Sequence, residues 1–264
     1  MTGLVFEVGG THWRIGLTDG RRLLRSVRIK TPASWSSAKK ALVLAVVQLK
    51  PVGKINRVIG GIAGVLNHEG DQLISSPNIR GWVNKPIKRD LQTLFRAPVR
   101  LENDADVAAL GEAINGVGRG FKAVAYITLG TGIGGARVIN GQLDRGRTTF
   151  EPAHIYLMSG KTWEDLIGGV SLQHRFGRDW SDWISSDWKW VEQQLAIGLA
   201  NVVNLWSPDM IILNGTVGQN RHIRLAIVQQ KVSKLLRTIK TCPPIRRGKL
   251  KDQAGPMGAI RLLS

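Results

Sequence analysis

Residues 101–135 read LENDADVAALGEAINGVGRGFKAVAYITLGTGIGG, and this stretch decides the fold. Its first half places Asn103 between two carboxylates and continues as an Ala- and Leu-rich helical run. Its second half is an apolar strand, residues 124–129, that opens into a turn with four glycines. Peptide N–H groups in such a turn can approach an anion closely, because no Cβ atom stands in the way. The turn alone is also consistent with a hairpin that binds nothing, but the two halves together favour phosphoryl transfer.

The composition indicates a soluble globular protein. Of the 264 residues, 43% are hydrophobic, and charged residues are interleaved with them. No apolar run approaches the roughly 20 residues that span a bilayer, and no basic segment precedes the first apolar run. The single cysteine, Cys242, can form neither an intrachain disulfide nor a cysteine-based zinc site. We therefore expect a cytoplasmic protein without an export signal, a membrane anchor or structural zinc.

The formal net charge of +18 is concentrated in two stretches. Residues 21–57 and 221–251 each contain ten Lys and Arg residues and no acidic residue, so the remainder of the chain is near −2. A nucleic-acid or anionic-surface patch has such a composition, but so does a solvated face that attracts an anionic nucleotide. Neither stretch carries the signature of a known RNA-binding or zinc-finger domain, so we expect no sequence-specific binding to nucleic acid.

Strands and helices follow one another in two similar rounds. In the first round, an apolar strand runs into a glycine turn at residues 9–11, and helices are predicted at 34–49 and 85–95. In the second round, the strand at 124–129 is followed by a helix at 192–206, a buried strand at 210–213 and two further helices, the last at 255–262. Such a duplication predicts two α/β lobes with a ligand in the cleft between them.

Taken together, the motifs resemble the ROK family of sugar kinases, within the actin-like and hexokinase-like ATPase superfamily. VFEVGGT at residues 5–11 is similar to the first phosphate loop of the family, and LGTGIGG at 129–135 is similar to the second. NGTV at 214–217 is similar to its adenosine motif. The resemblance implies an α/β fold of two actin-like ATPase (ribonuclease H-like) lobes, residues 1–102 and 103–264, with the last helix packing back on the first lobe.

The resemblance also implies ATP and Mg²⁺ as cofactors. It assigns the nucleotide to residues of both glycine loops and of the adenosine motif: Gly9, Gly10, Thr11, His12, Thr131, Gly132, Gly134 and Gly215. His12 stands where the family usually has a lysine. Glu7 is implied to hold Mg²⁺ through water. The cysteine segment that binds zinc in many members is missing, so we expect a member of the family without the zinc motif.

A second group of residues is implied to bind the sugar: Gly64, Asn78, Asn103, Asp104, Glu151, His154 and Glu164. Asp104 is implied to be the general base, and a carboxylate suits that role because the attacking hydroxyl must lose a proton. An aspartate at a helix start is also a common N-cap residue. Likewise, His154 could be a buried, hydrogen-bonded histidine, and Glu164 an acid that interacts with a helix dipole.

The function implied by these residues is ATP-dependent phosphorylation of a hexose, with glucose at its 6-hydroxyl as the default substrate. Fructose and N-acetylmannosamine remain alternative substrates, because selection depends on loop shape. A different class of function is motivated by His12 and the basic stretches: a non-catalytic sugar sensor, or a nucleic-acid-associated regulator of the same family that kept the sugar site. A homodimer is expected in either case, and so is the absence of membrane association.

Overall fold

A mixed sheet forms the centre of each of two units in the computed structural model, which describes residues 2–146, 148–177 and 180–263. The first unit comprises Met1–Asn115, Arg145–Thr149 and Asp252–Ser264, and the second comprises Gly116–Asp144 and Phe150–Lys251. Each unit has its own buried apolar cluster. No helix among the described residues is both long and apolar enough to cross a bilayer.

The elements follow in chain order. The strands are β1 (Thr2–Val8), β2 (His12–Thr18), β3 (Leu23–Lys30), β4 (Ile55–Ile62), β5 (Val65–Leu66), β6 (Leu73–Ser75), β7 (Val99–Asn103), β8 (Ala123–Leu129), β9 (Ile133–Ile139), β10 (Gln142–Leu143), β11 (Tyr156–Met158), β12 (Lys161–Thr162), β13 (Met210–Asn214) and β14 (Ile245–Arg247). The helices are α1 (Trp35–Leu49), α2 (Ile87–Phe95), α3 (Asp104–Asn115), α4 (Trp163–Ile167), α5 (Gly169–Phe176), α6 (Ser185–Trp206), α7 (Gly215–Gly218), α8 (Leu225–Leu235) and α9 (Ala254–Arg261). Short 3₁₀ segments lie at Pro152–His154, Trp180–Asp182 and Lys251–Gln253.

The main sheet of the first unit has the strand order β3-β2-β1-β4-β7. β1, β2 and β3 form an antiparallel meander, whereas β1, β4 and β7 run parallel. In register, Val8 lies beside Ile62, and Ile62 lies beside Asn103. The carboxyl ends of the three parallel strands therefore meet at one edge of the sheet, where ligands commonly bind in α/β folds.

The helix α3 packs against the C-terminal helix α9 within the first unit. A Cβ atom on Gly258 would overlap the carbonyl group of Val107, so the two helix backbones are in close contact. This packing explains why the observed division of the chain differs from the predicted boundary after residue 102. The residues that follow the boundary belong to a helix that contacts α9, β4 and β7 of the first unit.

The main sheet of the second unit has the order β10-β9-β8-β13-β14, with β8 antiparallel to β9 and parallel to β13. The helix α6 begins at Ser185, earlier than the predicted start at residue 192. Its first turn is closed by Asp187, whose carboxylate accepts the N–H of Ile184 at 3.0 Å. Trp188 of this helix is buried in the apolar core of the second unit.

Candidate functional site

Asn103 and Asp104 lie where β7 ends and α3 begins. The amide oxygen of Asn103 accepts the N–H groups of Ala105 at 2.7 Å and Asp106 at 3.3 Å, and its amide nitrogen donates to the carbonyl of Gly64 at 2.9 Å. Asn103 therefore caps the helix and also connects the ends of β7 and β4. Asp104 is the first helical residue, so the alternative role of N-cap belongs to Asn103.

The carboxylate on the other side of Asn103 has a different environment. Glu102 is buried, and its oxygen atoms pair with the Arg100 side chain at 2.6 Å and with Arg145. The positive charges of two arginine side chains therefore compensate the negative charge of Glu102. Of the two carboxylates that flank Asn103 in the sequence, Glu102 is engaged by arginine side chains, whereas Asp104 interacts electrostatically with Glu7.

Glu7 lies in β1 with 17% of its side chain exposed. Burial raises its pKa from an ordinary value of 4.5 to about 7. Arg14, 3.5 Å away, opposes the rise, and the negative charges of Asp104 and Asp252 add to it. Glu7 and Asp104 are thus two carboxyl groups in one electrostatic environment, and such oxygen donors suit Mg²⁺.

The first phosphate loop is a tight turn, and Thr31 donates two hydrogen bonds to it from outside the loop. Within the turn, the N–H of Gly9 donates to the carbonyl of His12 at 3.0 Å. The hydroxyl of Thr31 donates to the carbonyl of Gly9 at 2.7 Å, and its N–H donates to the carbonyl of Thr11 at 3.0 Å. Sequence reasoning did not identify Thr31, because it follows a strand 20 residues further along the chain and belongs to no motif.

Asn78 lies against the same loop. A Cβ atom on Gly10 would be 2.8 Å from the Cβ atom of Asn78, so a larger residue at position 10 would displace the asparagine. The structure therefore brings Asn78 next to the first loop, although 68 residues separate it from Gly10.

The second phosphate loop connects β8 to β9 and is braced by two elements. The N–H of Gly130 donates to the carbonyl of Gly132 at 2.9 Å, and the N–H of Val170 donates to the carbonyl of Thr131 at 3.0 Å. The carboxylate of Glu164 accepts the N–H of Ile133 at 2.6 Å. Glu164, which the resemblance assigns to the sugar, thus lies against the second phosphate loop.

Gly134 lies just beyond this turn. It is part of β9, where it is paired in register with Thr128 of β8. Its backbone therefore belongs to the strand ladder rather than to the tip of the loop.

The segment that resembles the adenosine motif begins at the end of β13. Gly215 has a φ of +83°, a left-handed conformation that favours glycine. Asn214 is buried: its amide nitrogen donates to the hydroxyl of Tyr126 at 2.8 Å, and its amide oxygen accepts from Gln219 at 3.0 Å. Asn214 is therefore held by core hydrogen bonds, and Gly215 is the position at which the backbone turns.

Glu151 precedes a short 3₁₀ segment, and His154 is the last residue of that segment. The two side chains are 4.0 Å apart, and the His154 side chain is 62% exposed. The alternative of a buried, hydrogen-bonded histidine is therefore wrong.

The start of helix α4 is capped without Glu164. Thr162 and Asp165 form a capping box in which the threonine hydroxyl accepts the N–H of Asp165 at 3.2 Å and the carboxylate accepts the N–H of Thr162 at 2.9 Å. Since Asp165 performs the capping, the Glu164 carboxylate is available to bind the backbone of Ile133.

Within residues 2–146, 148–177 and 180–263, no group of three or more His, Cys, Asp or Glu side chains is arranged to hold a metal ion. The chain between His154 and Glu164 instead contains the hairpin of β11 and β12. Glu7 and Asp104 are carboxylates that could take part in holding Mg²⁺ together with phosphate groups.

Comparison with solved structures identifies the fold. The chain has the actin-like ATPase fold: a glucokinase from Streptomyces griseus, solved in complex with glucose and AMPPNP, matches with a TM-score of 0.82 at 24% sequence identity, over 99% of each chain. The expected fold class is therefore confirmed.

The sequence profile of the ROK family matches residues 4–177 and 181–264, so the chain belongs to the ROK family. A glucokinase from Streptomyces coelicolor is 35% identical over 63% of this chain and 56% of its own length. An N-acetyl-D-glucosamine kinase from Haemophilus influenzae is 27% identical over 97% of each chain. These relatives support the activity of a sugar kinase.

Proposed function

We propose that this sugar kinase transfers a phosphoryl group from ATP to the 6-hydroxyl of glucose. The observation that carries the proposal is the environment of Asp104 at the carboxyl ends of β1, β4 and β7, beside Glu7 and next to Asn103. A carboxylate at this position can accept the proton of an attacking hydroxyl. Neighbouring Glu102 is already paired with arginine side chains.

In the first unit, the proposed roles follow from position. Asn103, Gly64 and Asn78 would orient sugar hydroxyls, and the turn at residues 9–12 would offer its peptide N–H groups to phosphate. Glu7 and Asp104 would help to hold Mg²⁺, through water. When bound, Mg²⁺ neutralises the charge of the nucleotide phosphates.

In the second unit, we assign the turn at residues 130–132 to phosphate and Gly215 to the adenosine. Glu151 and His154 are close enough to each other to bind adjacent hydroxyls of one sugar. Glu164 would bind the sugar with the part of its carboxylate that does not accept from Ile133. We propose no structural zinc.

Glucose is proposed because the residues implied to contact the sugar are hydroxyl-binding groups, and because relatives include glucokinases. N-acetyl-D-glucosamine is the main alternative substrate, since the kinase for that sugar matches over 97% of this chain. Fructose and N-acetylmannosamine remain the other alternative substrates.

The test is a coupled assay of ADP release with each of these four sugars, and a reaction without sugar as the blank. The expected result is the highest kcat/KM for glucose. A higher kcat/KM for another sugar would identify that sugar, instead of glucose, as the preferred substrate. Sugar binding in calorimetry without ADP release for any sugar would support the sugar-sensing alternative instead.

A further inference from the structure

The imidazole of His12 is held by a residue that no motif contains. Arg28 of β3 places its Nη2 atom 3.0 Å from Nδ1 of His12 in β2. The two residues are neighbours because β2 and β3 are paired, with His12 opposite Lys30 and Arg14 opposite Arg28. This contact lies at the end of the first phosphate loop, since the carbonyl of His12 closes the turn.

The chemistry of this contact determines the tautomer of His12. An arginine guanidinium has only N–H donors, so Nδ1 must be the acceptor in the hydrogen bond. Nδ1 therefore carries no proton, and the ring proton lies on Nε2. A hydrogen bond to one ring nitrogen commonly determines the role of the other.

Arg28 is itself positioned by a wider set of charges. Asp252 lies 2.8 Å from Nη2 of Arg14 and 3.8 Å from Nη1 of Arg28. Arg14 in turn lies 3.5 Å from Glu7. A chain of acidic and basic side chains thus connects Glu7 to Arg28 across three strands. The Arg28 side chain is nevertheless 51% exposed, so its positive charge is accessible from the solvent.

We propose that His12 and Arg28 act together as the cationic group of the first phosphate loop. His12 donates its Nε2–H to a nucleotide phosphate oxygen, and Arg28 fixes the tautomer that makes this donation possible and supplies the positive charge. Arg28 is a positioning residue, because it acts through His12. The inference rests on the proposed function, in which this loop binds the phosphates of ATP.

The kinetic test is a double-mutant cycle of Arg28→Gln and His12→Lys. In the wild-type background, Arg28→Gln should raise the KM for ATP about tenfold, as expected for loss of a charge-assisted hydrogen bond, and should leave the KM for the hexose unchanged. In the His12→Lys background, the same change should raise it by less than about twofold, because a lysine carries its own charge and has no tautomer to fix. Arg28→Lys, which keeps a charged donor, should restore most of the affinity.

Arg22→Gln is the matched control. It removes the same charge from the same hairpin at its opposite end, where Thr18 pairs with Leu23, and its side chain is 80% exposed. If Arg22→Gln and Arg28→Gln raised the KM for ATP equally, the effect would come from the net charge of the hairpin and not from the contact with His12. That outcome would overturn the proposal. An equal effect of Arg28→Gln in both backgrounds would also overturn it, since Arg28 would then not act through His12.

Two measurements separate this inference from the proposed function. Long-range ¹H–¹⁵N correlation spectra of the imidazole rings should show the Nε2–H tautomer for His12, with the signal assigned by its loss in His12→Lys. The Nδ1–H tautomer or a doubly protonated ring would contradict the proposal. The same cycle measured as ADP affinity by calorimetry needs no sugar, so it remains informative if none of the sugars is phosphorylated.

Discussion

At the scale of single residues, Glu7 has a pKa well above the ordinary value for a glutamate. Because burial raises its pKa to about 7, the folded protein binds a proton there that the unfolded chain releases near 4.5. The stabilisation from this group is fully present below the unfolded pKa of 4.5. It is lost as the pH rises towards and through the folded pKa of about 7.

We therefore expect the wild-type protein, without nucleotide or Mg²⁺, to lose about 2–3 kcal/mol of unfolding free energy through Glu7 between pH 5 and pH 8. Glu7→Gln removes the titrating group, so its stability should change with pH by that much less. Urea unfolding of both proteins at the two pH values measures the difference. The exposed Glu69→Gln is the control, and parallel pH profiles of wild type and Glu7→Gln would contradict the prediction.

Asp104 is the residue on which the proposed chemistry depends most directly. Asp104→Asn keeps the size of the side chain and its ability to accept the N–H of Ala105, but it removes the proton acceptor. Turnover should fall by roughly 10²- to 10⁴-fold, whereas sugar affinity should change far less.

The measurement for Asp104→Asn is single-turnover phosphoryl transfer combined with sugar binding by calorimetry. Circular dichroism and thermal unfolding establish that the variant is folded. Turnover close to that of the wild type would show that another group takes the proton or that the proton leaves without assistance.

At the scale of elements, the position of Glu164 depends on how α4 packs against α6. Trp163, the residue before Glu164, is fully buried, and a Cβ atom on Gly198 of α6 would overlap its indole ring. The absence of a side chain at residue 198 thus allows the ring to lie against the helix backbone. Through this contact, α6 supports the carboxylate that binds the second phosphate loop.

Gly198→Ala should therefore destabilise the protein by about 2 kcal/mol, in the range for overpacking a core, even though alanine favours helices. It should also weaken ATP or sugar binding, because Trp163 cannot move without shifting Glu164. Asn204→Ala, an alanine substitution at an exposed position of the same helix, should change stability by less than about 0.5 kcal/mol. Urea unfolding of both variants checks this, and equal stability would refute the packing argument.

At the scale of the whole molecule, the formal net charge of +18 determines how the protein interacts with polyanions. We expect any binding to nucleic acid to be electrostatic and independent of sequence, so two unrelated duplexes should bind with affinities within about threefold of each other. Both affinities should fall steeply as salt rises to about 200 mM, because binding releases counterions. Fluorescence anisotropy against salt measures this, and sequence-selective binding that survives at that salt concentration would overturn the expectation.

Much of the fold could be predicted because its signals are local. The predicted helix at residues 34–49 is observed as α1, with Ser34 as its N-cap and apolar residues buried at helical spacing. The glycine turns at 9–11 and 130–132 could likewise be placed, since each directly follows an apolar strand. Proximity in sequence fixes these features, as hydrogen bonds and periodicity act over a few residues.

The sequence by itself therefore determined the order of elements, the two glycine loops and membership of the ROK family. Only the tertiary structure decided which side chains support them. Arg28 reaches His12 through the register of a hairpin, and Thr31 reaches the carbonyl of Gly9 across 22 residues. The high pKa of Glu7 likewise requires burial beside Asp104. Such contacts depend on strand register and on exclusion of water, which are properties of the folded chain and leave no motif in the sequence.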